Sequence, residues 1–218
     1  VSGAHYHEDT GLSMFNTEHE KPGVEVLYGE PEHYVQAYET LCDIFHKSVE
    51  DTRPMHERSY QERKDHYYVE QFLERDADGK PVQFQIDTAT QTIRGLTGAF
   101  FRGDWAMRES GFDPSRRFGF MNVDIINHLP VCLNGFRHKM EFELSELNAL
   151  LAKRFPDEDQ KFIDRAHIWA ERAEDTHDAI QEHLWDNGQA QYTDPDGKTD
   201  EMPPSFRDKN VSPLADKF

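Results

Sequence analysis

Cysteine is nearly absent, with two in 218 residues, Cys42 and Cys132. Both fall in helical patterns and neither belongs to a metal-ligating or redox spacing. A disulfide framework is therefore out of reach, and a reduced, cytoplasmic compartment is expected. Long apolar runs are missing too: no window approaches the ~18 to 20 residues that a membrane span needs. Residues 1–20 hold neither the basic n-region nor the apolar h-region of a signal peptide. Positive charge is scarce, 24 Lys and Arg against 42 Asp and Glu, for a formal net charge of −18. Such a field repels phosphate backbones and anionic leaflets, so neither nucleic acid nor a membrane is expected as a partner. The acidity also suits a salt-tolerant protein, although a solvated surface is the plainer reading. There is no internal repeat and no low-complexity tract. Nothing resembles a nucleophile elbow, a phosphate-binding Gly loop or a dinucleotide fingerprint, and no cofactor is expected. What the chain does have is bulk. Fifteen Phe, 8 Tyr and 3 Trp offset an apolar fraction of only 36% and argue against disorder. At roughly 150 residues per domain, the length allows one domain or a modest pair.

Three segments carry helical periodicity. Tyr34, Tyr38, Leu41, Phe45 and Val49 are one; Leu133, Phe136, Met140, Leu144, Leu147 and Leu151 are the second; Phe162, Ala166, Trp169, Ala173, Ile180 and Leu184 are the third. Each keeps a single apolar stripe along a 3.6-residue helix, with charges filling the other face. Pro130 opens the second helix, Pro156 follows its end, and Asp157, Glu158 and Asp159 suit the positive start of the third. The short connection between the helices at 130–153 and 158–184 predicts an antiparallel αα-hairpin. Tyr67–Glu74 and Val82–Ile86 flank the turn Asp76-Ala77-Asp78-Gly79-Lys80 and read as a small β-hairpin, an excursion from a helical body. The proline-rich stretch from Tyr192 to Phe218 reads as a long loop.

Two acidic stretches invite a metal reading and do not sustain it. His5-Tyr6-His7-Glu8-Asp9 offers two imidazoles and two carboxylates but no distant third ligand. Asp194-Pro195-Asp196-Gly197 lacks the further oxygen ligands of a calcium loop and reads as a turn. No metal is expected. The most unusual stretch is Arg108-Glu109-Ser110-Gly111-Phe112-Asp113-Pro114-Ser115-Arg116-Arg117-Phe118, which has neither helical nor strand period. A carboxyl set among aromatic rings beside a cation can keep a proton near neutral pH, as general acid catalysis requires. An ordinary surface loop with salt bridges is the competing reading.

Glu109-Ser110-Gly111-Phe112-Asp113-x-Ser115-x-Arg117-Phe118 closely resembles the E-S-G-W-D-x-S-x-R-W segment of the trehalases, glycoside hydrolases with an (α/α)6 barrel. Phe100–Arg108 is similar to the lead-in of the cytosolic, neutral type. Leu129-Pro130-Val131-Cys132-Leu133-Asn134 with Lys139-Met140-Glu141 resembles the helix that follows. Ala179-Ile180, His183-Leu184-Trp185-Asp186 and Tyr192-Thr193-Asp194 resemble a later hairpin end. Upstream, Thr10-Gly11-Leu12 and Pro31-Glu32-His33-Tyr34 resemble T-G-L and R-P-E-S-Y. The likeness runs from about residue 5 to 196, in family order.

The resemblance implies an all-α chain, part of an (α/α)6 barrel or helical toroid, with the β-hairpin as an excursion. It also implies an inverting α-glucoside hydrolase acting on a small sugar, with trehalose as the default substrate. Asp113 would be the general acid. Gly111 would leave room for the sugar, Arg117 would orient the loop and Glu32 would bind sugar hydroxyls. Phe112 could stack on a ring, whereas Trp105 is expected in the core. Arg117 is expected to bridge Glu109 or Asp124 rather than Asp113, which would sit against Phe112 or another ring, because direct pairing would lower the acid's pKa.

The departures matter as much. Glu30 stands where relatives carry an Arg, Cys132 where they carry an Asp, and Phe112 where they carry a Trp. These changes favour the alternative substrate, a glucosyl-polyol or glucosyl-acid such as glucosylglycerol. The family's P-G-G-R-F and Q-W-D signatures and its C-terminal general-base Glu do not occur in these 218 residues. Three or four long helices cannot make a twelve-helix barrel. Residues 1–218 are therefore expected to be the central portion of one catalytic domain, partnered by the rest of that domain before Val1 and after Phe218. Half of the acid–base pair being absent leaves a second alternative, a non-catalytic helical binding or regulatory module.

Overall fold

The structure, a computed structural model, describes residues 6–15, 27, 29–90, 92–112, 114–188, 191–193, 199–201 and 203–215. In chain order these include the strand pair β1 (Tyr6–His7) and β2 (Leu12–Ser13), then helices α1 (Pro31–Glu50) and α2 (Tyr60–Phe72). A hairpin of β3 (Gln85–Asp87) and β4 (Thr92–Arg94) leads to α3 (Gly98–Ser110), and α4 (Val131–Arg154) and α5 (Asp159–Leu184) complete the helices. The chain is mostly α-helical, and among the described residues no strand exceeds three residues. No described helix is long and apolar enough to cross a membrane. The chain divides into two compact units, residues 15–128 with 211–218, and residues 1–14 with 129–210.

The first unit is built on aromatic burial. Tyr34, Leu41, Phe72, Leu96, Phe100 and Val123 are fully buried in one cluster. Phe100 meets Tyr34 and Phe72 edge-on, with ring centroids 6.4 and 6.2 Å apart, a favoured aromatic geometry. Pro31 starts α1, where a missing N–H costs nothing. Ser59 starts α2 through a capping box: its hydroxyl accepts from the Glu62 N–H at 3.3 Å, and the Glu62 carboxylate accepts from the Ser59 N–H at 2.7 Å. Residues 67–72 are thus helical and correct the strand expected there; Tyr67, Tyr68, Val69 and Phe72 bury one side of α2. The turn at 76–80 is present, with the Asp76 carboxylate accepting from the Asp78 and Lys80 N–H groups at 2.9 Å. It is flanked by a single bridge, Arg75 to Pro81, and the true hairpin comes later. In β3–β4, Ile86 faces Ile93, around a turn where the Asp87 carboxylate accepts from the Ala89 and Thr90 N–H groups at 2.9 and 3.2 Å.

The second unit is an antiparallel α4–α5 hairpin, at nearly the bounds the periodicity predicts. On α5 the expected stripe does pack, with Ala166, Ala173 and Leu184 buried, whereas on α4 the packing face is not the one expected. On α4 the buried residues are Asn134, Glu141 and Asn148, while Phe136, Met140, Leu147 and Leu150 are exposed, Phe136 to 73%. The seam closes on small residues of α5, Ala166, Ala173 and Thr176, by polar contacts. Ser145 Oγ donates to the Ala166 carbonyl at 2.9 Å, and Thr176 Oγ1 donates to Glu141 Oε2 at 2.7 Å. His138 Nδ1 lies 3.0 Å from the Ala173 carbonyl. The Asn134 amide binds both backbone groups of Ser13, at 2.7 and 2.9 Å, as a neighbouring strand would. The expected C-terminal loop is also more ordered than its composition implies. Gln191–Thr193 pairs with Thr199–Glu201, and Trp185–Asp186 pairs with Ser205–Phe206.

Candidate active site

The candidate site begins at the end of α3. Thr97 caps the helix start by accepting from the Phe100 N–H at 3.3 Å. Gly111 ends it in the left-handed region at φ 73°, a conformation open to glycine at little cost. Arg108, Glu109 and Ser110, expected to belong to an irregular loop, are therefore the last turn of α3. The helix lies hard against the 3₁₀ segment Phe120–Asn127. A Cβ on Gly103 would collide with the Val123 carbonyl, which explains the glycine in mid-helix.

From Gly111 the chain turns tightly. Ser110 Oγ donates to the Met107 carbonyl at 2.6 Å and accepts from the Phe112 N–H at 3.3 Å. The Ser115 N–H donates to the Phe112 carbonyl at 2.9 Å. Phe118 is fully buried, with Phe112 edge-on at 5.2 Å and the His128 ring at 5.4 Å. Phe15 also meets Phe112 edge-on, at 6.0 Å. The Arg117 guanidinium lies 5.3 Å from both the Phe112 and Phe118 ring centroids, a cation over a two-ring floor. Gly119 follows at φ 75°, tight against the Tyr68 hydroxyl. The next turn holds Met121 at φ 48° and Asn122 at φ 59°, both left-handed.

Two buried carboxylates flank this loop in sequence. Asp104 on α3 accepts from the Tyr34 hydroxyl at 3.0 Å and from Arg108 Nε at 3.1 Å. His33 Nε2 stands 3.4 Å from Oδ1, the same oxygen that Arg108 contacts. Burial alone would raise the Asp104 pKa, but His33, the Arg108 guanidinium and Tyr34 together outweigh it and hold it below the ordinary value. Tyr34 is pushed up to about 12, first by burial and then by that carboxylate. Asp124 accepts from the Tyr67 hydroxyl at 2.8 Å and from Asn127 Nδ2 at 2.7 Å. There burial prevails over His128, Asn127 and Tyr67, and the pKa is raised.

Of the residues singled out from the sequence, Gly111, Phe112 and Arg117 come together on one loop. Glu32 is exposed on the first turn of α1, beside the His33 and Tyr34 that reach Asp104. Asp113 lies outside the described residues, as do His5 and residues 194–197. Glu109 accepts from Trp105 Nε1 at 2.6 Å, and Trp105 is half-buried on the flank of α3. Among the described residues, no group of three or more His, Cys, Asp and Glu could hold a metal ion. The residue that sequence reasoning passes over is Asn122. Its partners are backbone groups, which leave no mark on the residue pattern; its tolerance of positive φ is the one readable sign.

The family model of the trehalases matches residues 32–218. The chain belongs to the trehalase family. The match takes in nearly all of α1, α2 through α5 and the loop after α3, and it supports a glycoside hydrolase function. No curated protein and no solved structure matches the chain. Against the trehalase pattern, Glu30 is exposed just before α1 and gives that helix no side-chain cap, and Cys132 is half-buried in the first turn of α4.

Proposed function

We propose that the protein is an inverting α-glucoside hydrolase with Asp113 as general acid. The acid protonates the glycosidic oxygen while a carboxylate base activates water on the opposite face of the sugar ring. The two carboxyl groups of such a pair stand roughly 6.5 to 9.5 Å apart, leaving room for that water. The proposal assigns the base and the remaining barrel helices to chain outside these 218 residues. Glu32 binds sugar hydroxyls, Gly111 leaves the backbone open to the sugar, and Arg117 with Phe112 forms the wall of the loop.

The observation that supports this reading is the construction of the loop after α3 in a trehalase-family chain. An acid must be held in place to act, and this loop is floored by Phe112 and Phe118, covered by Arg117 and backed by a buried amide. Trehalose is the default substrate. Glu30 and Cys132, where relatives carry Arg and Asp, favour a smaller leaving group such as glycerol, which needs fewer hydroxyl contacts.

The test is Asp113→Asn in the full-length enzyme. General acid catalysis contributes about 10²- to 10⁴-fold, so kcat should fall by at least about a hundredfold. Activity within about tenfold of wild type would remove Asp113 from the role. Comparing kcat/KM on trehalose and on glucosylglycerol assigns the substrate to whichever is higher.

A further inference from the structure

We infer that Asn122 is the positioning residue of the loop that carries the acid, an inference that rests on the reading of Asp113 above. Asn122 is buried, 3% exposed, and among the described residues its amide meets three backbone groups of one loop. Oδ1 accepts from the Phe118 N–H at 3.1 Å. Nδ2 donates to the Phe112 carbonyl at 3.2 Å and also to the Ser115 carbonyl. The two carbonyls bracket position 113 in sequence, and the N–H is the backbone group of Phe118, whose ring lies under Arg117. One amide thus ties together both ends of the Phe112–Phe118 turn.

Asparagine suits these demands. Among the described residues the partners are two acceptors and one donor, and a planar amide meets both kinds at one end of a short side chain. The backbone is left-handed at Asn122 and at Met121 before it, so this turn is conformationally costly. Asparagine tolerates that region better than most residues. Strain of this kind persists where surrounding structure over-determines it, and it gathers at functional sites. A loop needed only as a connector has no use for two left-handed residues in succession beside a fully paired buried amide.

Asn122→Asp separates positioning from bulk stability. Aspartate has the same shape and the same tolerance of positive φ. It keeps the acceptor for Phe118 but sets a carboxylate oxygen against the Phe112 and Ser115 carbonyls. Asn122→Gly is the second variant, keeping the backbone and deleting the amide. Both are compared with Asp113→Asn in the full-length enzyme, on the α-glucoside it turns over (trehalose or glucosylglycerol) and on α-glucosyl fluoride. Fluoride leaves without a proton, so losing the acid spares that substrate.

If Asn122 positions the acid, both variants lower kcat on the glucoside by about tenfold or more with KM within about threefold. Hydrolysis of α-glucosyl fluoride then stays within about threefold of wild type, the same signature as Asp113→Asn. Equal losses on both substrates, a rise in KM alone, or no loss on either would overturn the inference. Full glucoside activity in Asp113→Asn would instead defeat the acid reading, so the two failures are told apart by which variant keeps its rate.

Discussion

The two units put apolar side chains to opposite use. In residues 15–128 the rings of Tyr34, Phe72, Phe100 and Phe118 are fully buried, and carboxylates such as Asp104 and Asp124 are taken inside with them. In the α4–α5 hairpin the seam contacts are polar, Glu141 and Ser145 of α4 meeting Thr176 and the Ala166 carbonyl of α5, while Phe136, Met140, Leu147 and Leu150 face outward. Small residues let helices approach closely, and side chain-to-carbonyl hydrogen bonds then replace apolar area as the contact. The lesson is that an apolar stripe on a helix marks a helix, not the side from which its neighbour packs.

The largest expected effect tests that contrast directly. Phe100 is wholly buried among rings, so Phe100→Ala should cost about 3 to 5 kcal/mol from lost transfer energy and the cavity left behind. Phe136 belongs to the stripe on α4 yet is 73% exposed, and Phe136→Ala should stay within about 0.5 kcal/mol. Urea unfolding of both variants measures the difference. A cost above about 2 kcal/mol for Phe136→Ala would mean that the outward stripe packs against something in the folded protein.

A smaller effect probes the seam. Thr176 is buried and donates to the Glu141 carboxylate at 2.7 Å, while Arg137 Nε donates to its other oxygen at 3.0 Å. Thr176→Val preserves shape and removes one hydrogen bond to a charged group, worth about 1.5 to 3 kcal/mol. Leu147→Ala, on the exposed stripe one residue from buried Asn148, should cost less. The reverse order, measured by thermal unfolding, would return the packing to the apolar face.

How far the sequence reading reached follows from the same physics. Helices α1, α4 and α5 are legible because their apolar residues recur mostly every three or four positions along helices of 20 to 26 residues. α2 is not, since Tyr67-Tyr68-Val69 is a locally β-favouring run. The Ser59-x-x-Glu62 capping box was the signal that outranks it. α3 is obscured by Gly98 and Gly103, the second needed for contact with Val123 rather than for helix formation. In the candidate site, the segment from Glu109 to Phe118 is legible through its likeness to the trehalases. Arg117's place over two rings and Asn122's hold on three backbone groups are not, because both depend on how the turn folds back on itself.

The smallest effect sharpens the comparison from inside the aromatic unit, where two buried aspartates respond oppositely to acid. Asp104 has a folded pKa below its unfolded value, which is about 3.9. It therefore contributes stability above that value and loses it as pH falls through the folded pKa. Asp124 is shifted upward, with burial the main cause. Its folded form takes up the proton first, so its contribution improves as pH falls from the folded pKa toward the unfolded one. The two act in different windows, Asp124 above about pH 3.9 and Asp104 below it, so as pH falls toward about 3.9 wild type gains from Asp124 before it loses from Asp104. Asp124→Asn keeps acceptance from Tyr67 and removes the opposing titration, leaving the other carboxylates to dominate. Its unfolding free energy should therefore fall more steeply with acid above about pH 3.9 than that of wild type. The subtraction matters, because every other titrating group is common to both proteins. Parallel pH profiles for the two would mean that Asp124 titrates alike in the folded and unfolded chains, and burial among rings would not be what governs that carboxylate.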